Sequence, residues 1–257
     1  MTSMVDVHVL ASGSDGNCVV VDTGEDAVMI DAGVSYKRIQ EYAAVTGCDL
    51  DRVRAILVTH EHTDHIAGVP VTSRKLDVPV FCTQGTRSGI KKDDRIRFEI
   101  YDRKDAFDVG QFHVTPLPTF HDAAEPNAFF LEACGRKVAV VTDTGHCSFQ
   151  IEQAIASADI AVMEANYDLG MLRDGPYAYP LKKRIEGPNG HMDNVESGNL
   201  LRRTLWDGRQ VFLAHLSKTN NTPDIARDTV ASRMGISRLH VQCMEWPGDA
   251  RKLTTKV

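Results

Sequence analysis

Between Ile56 and Gly68 the chain reads I-L-V-T-H-E-H-T-D-H-I-A-G. The apolar run Ala55 to Val58 ends at Thr59, and His60, His62, Asp64 and His65 then arrive within six positions. Four proton- or metal-binding side chains this crowded are costly unless an ion needs them. Imidazole and carboxylate donors together suit zinc, manganese or iron. Alternate residues of an extended segment share a face, so His60 and His62 can reach one ion. Asp64 and His65 follow as the chain turns toward a helix expected from Ile66 to Leu76, and they can point at a second ion. The plain alternative is a polar loop after a strand, with histidines there by chance.

Such a motif needs a core to hold it still. The chain has 257 residues, 42% hydrophobic and 25% charged, as expected of one globular domain spanning 1–257. No apolar run approaches the ~18–20 residues that would cross a bilayer, so no membrane partner is expected. Asp6 and His8 interrupt the only candidate for an N-terminal signal. The six cysteines are scattered and no pair forms C-x-x-C. They read as mostly buried thiols of a reducing, cytoplasmic protein. A net charge of −6 argues mildly against a long basic nucleic-acid face. A local basic patch beside a metal site can still hold phosphate.

Stepping along the chain, Val5 to Leu10, Cys18 to Val21 and Ala27 to Ile30 read as three strands. The loop Ala11 to Asn17 between the first two is either a tight hairpin or a backbone nest. In the nest, N–H groups with Ser12, Ser14 and Asn17 face an anion. Asp31 closes the third strand. Ser35 to Val45 is amphipathic enough for a helix, and Ala55 to Val58 is the strand leading into the histidine motif. Thr86 to Arg97 carries mixed charge and reads as a solvated face. Phe98 to Phe112 suggests two strands with a turn at Asp108 to Gly110. Gln111 to Phe120 ends in Pro116 and Pro118, so it is an edge strand or terminates there. His121 follows, and His113 inside the strand is its competitor. Ala128 to Ala133 and Lys137 to Val141 pair around Gly135, the second ending near Asp143. Glu164 ends the strand from Ile160. Arg173 to Arg184 reads as a loop. Asp193 to Glu196 resembles a capping box, His215 ends the strand from Val211, Thr222-Pro223 opens a helix, and Leu239 to Cys243 is the last strand.

At His60-x-His62-x-Asp64-His65 the chain resembles the metallo-β-lactamase-fold hydrolases. The resemblance implies an α/β fold, a four-layer αββα sandwich. It implies that His121 is a metal ligand, that Asp143 bridges two ions, and that Asp31 steadies a metal-binding histidine from behind. The order Asp143, Glu164, His191, His215 is similar to that of the ribonuclease Z branch. There the glutamate and first histidine form a dyad acting on the leaving oxygen. Closer still is the YycJ/WalJ family. Its resembling segments include Leu10 to Asn17, Thr59 to Gly68, Thr142 to Gly145, Glu164 to Asp168 and Ala214 to Asn221. That family is regarded as 5′-to-3′ DNA exonucleases linked to DNA repair. Phe120 to Pro126 differs from the family pattern in lacking a glycine after the proline.

The expectation is therefore a dinuclear metal-dependent phosphodiesterase holding two divalent ions, Zn2+ or Mn2+, or Fe. His60, His62 and His121 would hold one, and Asp64, His65 and His215 the other. Asp64, Glu164 and His191 are the catalytic set. Ser217, Lys218, Asn220 and Asn221 would meet a phosphate or 5′ end, with Lys183 and Arg184 nearby. The plainer readings are a polar turn for the first group and a solvated loop for the second. DNA with a 5′ end is the expected partner, RNA the related one, and the chain a monomer or homodimer. The rival activity is hydrolysis of a small ester or thioester. A metal-bound scaffold is disfavoured by the complete ligand set. A di-iron oxidoreductase would need a flavin-carrying partner domain that does not fit this length.

Overall fold

The computed structural model describes residues 4–245 and 248–255. Strands β1 (Asp6–Ala11), β2 (Cys18–Asp22) and β3 (Ala27–Ile30) form an antiparallel meander. Helix α1 (Tyr36–Thr46) follows, its N-terminus capped by Ser35, whose side chain accepts from the Arg38 amide. Strand β4 (Val53–Leu57) then lies parallel to β3. Beyond it come the short helices α2 (Thr63–Ile66) and α3 (Val69–Leu76), and strand β5 (Val80–Cys82). Helix α4 (Gln84–Gly89) and strand β6 (Phe98–Ile100) end the first half.

The second half builds its own sheet. Strands β7 (Phe107–Val109), β8 (Phe112–Pro118), β9 (Asn127–Ala133) and β10 (Arg136–Val141) are antiparallel neighbours. After α5 (Phe149–Ser157) the sheet turns parallel with β11 (Ile160–Glu164). Helices α6 (Leu169–Asp174), α7 (Tyr179–Ile185) and α8 (Asn194–Arg203) lead to β12 (Gln210–Ala214). Helix α9 (Pro223–Met234), β13 (Val241–Cys243) and β14 (Arg251–Thr254) complete the order. One seven-stranded sheet runs β14-β1-β2-β3-β4-β5-β6, and the other β13-β12-β11-β10-β9-β8-β7.

Both faces of these sheets are covered, and the strands read accordingly as near-continuous apolar runs. Val7, Val19, Ile30 and Leu57 of the first sheet meet Val114, Phe129, Val140 and Phe212 of the second in a shared core. The opposite face of the first sheet packs Val20, Met29 and Ile56 against Ile39 and Ala43 of α1. Behind the second sheet, Ala139, Met163 and Leu213 pack against α5, α8 and α9 through Ile151, Leu200 and Val230. The layers are helix, sheet, sheet, helix, the expected αββα sandwich.

Four local expectations need correction. The helix drawn from Ile66 is two, interrupted at Ala67 and Gly68, and Asp64 and His65 sit inside the first of them. Phe98–Ile100 does not pair with Phe107–Val109. The two strands belong to different sheets, and the hairpin turns at Gly110. The supposed loop Arg173 to Arg184 is mostly helical. Pro180 lies in the first turn of α7, where its missing N–H costs nothing. The last strand is Arg251–Thr254, which pairs with β1 rather than following β13 in its sheet. Its polar sequence gave no apolar run to notice. Pro116 and Pro118 are tolerated because β7 reaches only to Val114, so this end of β8 pairs on one side alone.

Close backbone approach locks the motif against the meander. The Asn17 amide donates to the Asp64 carbonyl at 2.8 Å, and Gly68 N donates to Ala32 O at 2.7 Å. A Cβ on Gly33 would lie 1.6 Å from the Asp64 carbonyl oxygen. Gly33→Ala should therefore destabilise the protein by about 3 kcal/mol or more and lower metal retention. Gly24→Ala, where a Cβ meets nothing within 4 Å, should cost only the positive-φ strain, about 1–2 kcal/mol. Thermal unfolding of the two proteins side by side checks this. Equal melting temperatures would contradict the packing argument.

Candidate metal centre

Parallel pairing delivers the site. Strands β3 and β4 run parallel, so Asp31 and Thr59 leave the first sheet together. Strands β10, β11 and β12 run parallel in matched register, so Asp143, Glu164 and His215 leave the second sheet at one edge. Three of these residues adopt the left-handed backbone that side chains with a Cβ avoid. The φ angles are 58° at Asp31, 55° at Asp143 and 56° at His215. Each turn ends its strand and aims its side chain across the edge.

The ligand-type atoms converge in overlapping groups, all within 4.8 Å of one another in each. One group is His60, His62 and His121, and another is Asp64, His65 and His215. His60, His65 and Asp143 join them, as do Asp143, Glu164, His191 and His215. The ring tautomers follow from the hydrogen bonds behind them. His65 Nδ1 donates to Asp31 Oδ2 at 2.7 Å, and His60 Nδ1 donates to the Thr59 hydroxyl at 3.0 Å. His121 Nδ1 donates to the Gly190 carbonyl at 3.1 Å. His215 Nδ1 faces Glu164 Oε1 at 3.2 Å. Each therefore turns Nε2 to the centre. His62 is the exception, presenting Nδ1 to His60 Nε2 at 3.1 Å and to His121 Nε2 at 3.3 Å.

These residues fit a cation. Bare ring nitrogens facing one another at such distances repel unless something positive lies between them. Asp143 Oδ2 is buried and, among the described residues, lacks a hydrogen-bond partner. It faces His65 Nε2 at 3.2 Å. Burial alone would raise the Asp143 carboxyl, but His215, His65 and His60 hold it well below the usual range. Burial would likewise lower His215, but Asp143, Asp64 and Glu164 push it up to about 10. His60, surrounded by other imidazoles, is driven well below its ordinary value, first by burial and then by His65. A cluster that binds protons this unevenly is a set of donors awaiting a stronger acid.

Asp31 does more than hold His65. Its Oδ1 accepts the Thr59 amide at 2.8 Å and its Oδ2 the Thr59 hydroxyl at 2.8 Å. One buried carboxylate thus orients two histidines, His65 directly and His60 through Thr59. Glu164 is shared as well. Its Oε1 lies 2.7 Å from His191 Nδ1 and 3.2 Å from His215 Nδ1, while Oε2 accepts the Thr144 amide at 2.9 Å. Burial opposes its ionisation, but His191 above all keeps the carboxyl low. His191 is raised in turn, Glu164 outweighing the effect of burial.

A cavity of about 320 Å³ opens over the cluster. Ser14, His62, Asp64, Asp122, Tyr177, Arg184 and His191 are among its walls. Arg184 Nε donates to Asp122 Oδ2 at 2.5 Å. Lys183 is exposed on α7 and pairs with Glu186 at 3.5 Å. Lys218 pairs with Asp15 outside the cavity. Other residues expected to touch substrate make hydrogen bonds within the protein. Ser12 Oγ accepts the His215 amide at 2.7 Å, so it holds the backbone of a candidate ligand. Asn17 Oδ1 accepts Gly13 N at 2.9 Å, and its Nδ2 lies 3.1 Å from His65 Nε2. The loop before it is therefore a hairpin braced on the motif. Ser217, Asn220 and Asn221 are buried. Asn221 Nδ2 donates to the Ala165 carbonyl at 2.9 Å and Ser217 Oγ accepts the Asn220 amide at 3.2 Å.

Sequence reasoning missed Thr59, Asp122, Tyr177 and Asn166. Asn166 Nδ2 donates to the His215 carbonyl at 2.8 Å. The adjacency of Thr59 to His60 was a usable signal. Nothing local marks Asn166, which lies 49 residues from the backbone it holds. His113 is exposed and bonds Asp108 at 2.8 Å, away from the cluster.

The beta-lactamase superfamily domain model matches residues 19–216. The chain is 36% identical over 231 residues to the exodeoxyribonuclease YycJ of Bacillus anthracis, covering 87% of this chain and 86% of that one. It is 32% identical over 240 residues to the exodeoxyribonuclease WalJ of Streptococcus pneumoniae serotype 2, covering 91% and 89%. In solved structures, the metallo-beta-lactamase fold protein YhfI of Bacillus subtilis superposes with a TM-score of 0.75 at 16% identity. That match covers 98% of this chain and 100% of YhfI.

Two expectations follow. Asp31→Asn should weaken zinc binding about 10–100-fold, read by competition with a chromophoric chelator. Unchanged affinity would remove Asp31 from the support of the site. In metal-free protein His215 holds its proton more tightly folded than unfolded. That contribution is complete below its unfolded pKa of about 6.5 and is lost as pH rises through about 10. Melting temperature in chelator should fall from pH 7 to 10, and metal-loaded protein should fall less. A flat profile without metal would contradict the assignment.

Proposed function

The chain belongs to the metallo-β-lactamase superfamily, within it to the YycJ/WalJ family, and from that premise we propose that it is a dinuclear metal-dependent phosphodiesterase, a 5′-to-3′ DNA exonuclease linked to DNA repair. The observation that carries the reading is the Glu164–His191 pair, set beside the ligand cluster with His191 in the cavity wall. A hydrolase releasing an oxygen leaving group needs a proton donor there, and the curated relatives are named exodeoxyribonucleases.

His60, His62 and His121 would hold one ion, and Asp64, His65 and His215 the other, with Asp143 between them. Divalent ions bound there, zinc or manganese, would supply Lewis acidity, lower the pKa of a water toward about 7 and neutralise charge on a phosphoryl group. Asp31 and Thr59 fix the direction of the imidazoles. His191 donates the proton to the leaving oxygen. Its Nδ1 is committed to Glu164, so Nε2 is the atom that gives the proton up. Glu164 raises the hold of His191 on its proton against the effect of burial, which favours the charged state an acid must start from. Asp122 and Arg184, paired at the cavity wall, and Ser14 beside them are the groups left to meet phosphate and sugar, with the exposed Lys183 and Lys218 outside the cavity placed to meet the strand beyond it. Ser12, Asn17, Ser217, Asn220 and Asn221 act behind the site as braces.

Digestion of 5′-phosphorylated, 5′-hydroxyl and circular DNA by metal-stripped protein, with zinc or manganese restored, tests the proposal. Shortening should occur from a free 5′ end only and vanish in Asp143→Ala together with metal content. His191→Asn should keep its metal and lose about 10²-fold or more in kcat. No cleavage of DNA or RNA with either metal would favour a small ester or thioester substrate. Metal lost from His191→Asn would remove its role as proton donor.

A further inference from the structure

We propose that the exposed basic segment between Ile90 and Ile96 is a docking track for the phosphate backbone of a single-stranded nucleic acid whose end lies in the cavity. This rests on the nuclease reading and extends it to the body of the strand. The segment looked like an ordinary solvated face in the sequence, and its place in the fold gives it a role.

Helix α4 is tied at both ends to the loops that carry metal-binding histidines. At its start, Gly85 N donates to Glu125 Oε2 at 2.6 Å, four residues beyond His121. At its end, Gly89 packs on Glu61, the residue between His60 and His62. A Cβ on Gly89 would lie 2.5 Å from Glu61 Cβ and Cγ. Glu61 Oε1 in turn accepts the Ala124 amide at 2.8 Å, closing the circuit between the two loops. The segment that follows is pinned by Ile90 and Ile96, 4% and 7% exposed in the core behind the first sheet. Between these anchors the chain turns Lys91, Lys92 and Arg95 outward. The basic groups thus follow directly on Gly89, which packs on the metal loop at Glu61.

Their charge is only partly neutralised. Arg87 to Arg97 holds five cations and two carboxylates, in a chain whose net charge is −6. Asp93 is occupied by two arginines, Arg74 at 2.6 Å and Arg95 at 2.9 Å. Lys92 reaches Asp94 at 3.5 Å with both side chains largely exposed, a pairing worth little in water. Among the described residues Lys91 has no carboxylate within ion-pair distance. Two adjoining surface hollows, of about 570 and 630 Å³, share Lys91 and Lys92 along their walls. Spaced cations over open surface hollows suit a polyanion tracked by its backbone.

The test compares wild type with Lys91→Glu/Lys92→Glu and Lys91→Gln/Lys92→Gln, none of which touches the metal cluster. Binding of a long single-stranded oligonucleotide is measured by fluorescence anisotropy at several salt concentrations. Hydrolysis of bis(p-nitrophenyl) phosphate reports the metal site alone. Charge reversal should weaken binding of the long strand about tenfold or more at low salt and make the salt slope shallower by about 1.4, two phosphate contacts at ~0.7 each. The glutamine protein should show the smaller loss, and turnover of the small diester should not change. Unchanged affinity and salt slope would overturn the proposal. So would an equal loss on the small diester, or competition by poly-glutamate as effective as by DNA. A wild type that binds and cleaves no nucleic acid, while still hydrolysing the small diester, would instead overturn the nuclease reading beneath it.

Discussion

Three strands end in left-handed backbone at residues that are not glycine, and the site depends on those turns. Asp31, Asp143 and His215 each accept a conformation costing about 1–2 kcal/mol. The cost is borne because parallel strands in register bring their ends to one edge, and an abrupt turn there aims a polar side chain over the edge. An extended continuation would carry the same side chains past one another. Strain at a strand end is therefore part of how this fold makes a cluster of charge out of a hydrophobic sheet.

Behind the turns, two buried carboxylates organise the imidazoles. Asp31 serves the first sheet, orienting His65 and, through Thr59, His60. Glu164 serves the second, reaching His191 and His215 with one oxygen. This arrangement gives Glu164 two tasks that the idea of a simple dyad does not contain. It bonds His191, the proposed proton donor, and His215, a candidate metal ligand, with one oxygen, so the two sides of the cavity share a carboxylate. The same economy appears at Asn17 and Ser12, which look like substrate contacts in a glycine-rich loop but spend their hydrogen bonds on the cluster.

The active edge is walled by elements outside the shared core. Helix α7 sets Leu181 and Arg184 against the cavity, Tyr177 joins them from just before the helix, and Arg184 meets Asp122 from the loop after His121. That loop also reaches Glu61 and α4. The histidine motif is thus gripped from three sides, by the β1–β2 hairpin, by the His121 loop and by α4. Rigidity of this kind lets side chains on short loops hold the separations a metal requires.

The sequence by itself determined most strand positions and the ligand-rich motif, and the layered α/β class through the resemblance that motif carries. Apolar runs closed by polar residues are a local signal, and four donors in six positions are another. It also marked Asp31, His121, Asp143, Glu164, His191 and His215 one by one as polar residues in suggestive places. The pairing of Phe98–Ile100 with the first sheet, the late strand Arg251–Thr254, and the helical state of α6 and α7 were not legible. Each depends on partners far away in the chain or on a short segment with weak periodicity. Only the tertiary structure decided which nitrogen of each histidine faces the centre, that Glu164 is shared, and that Asn221 is buried with its amide on the Ala165 carbonyl. Those outcomes are set by hydrogen bonds between residues tens of positions apart, and side-chain direction across such distances is a property of the packed sheets.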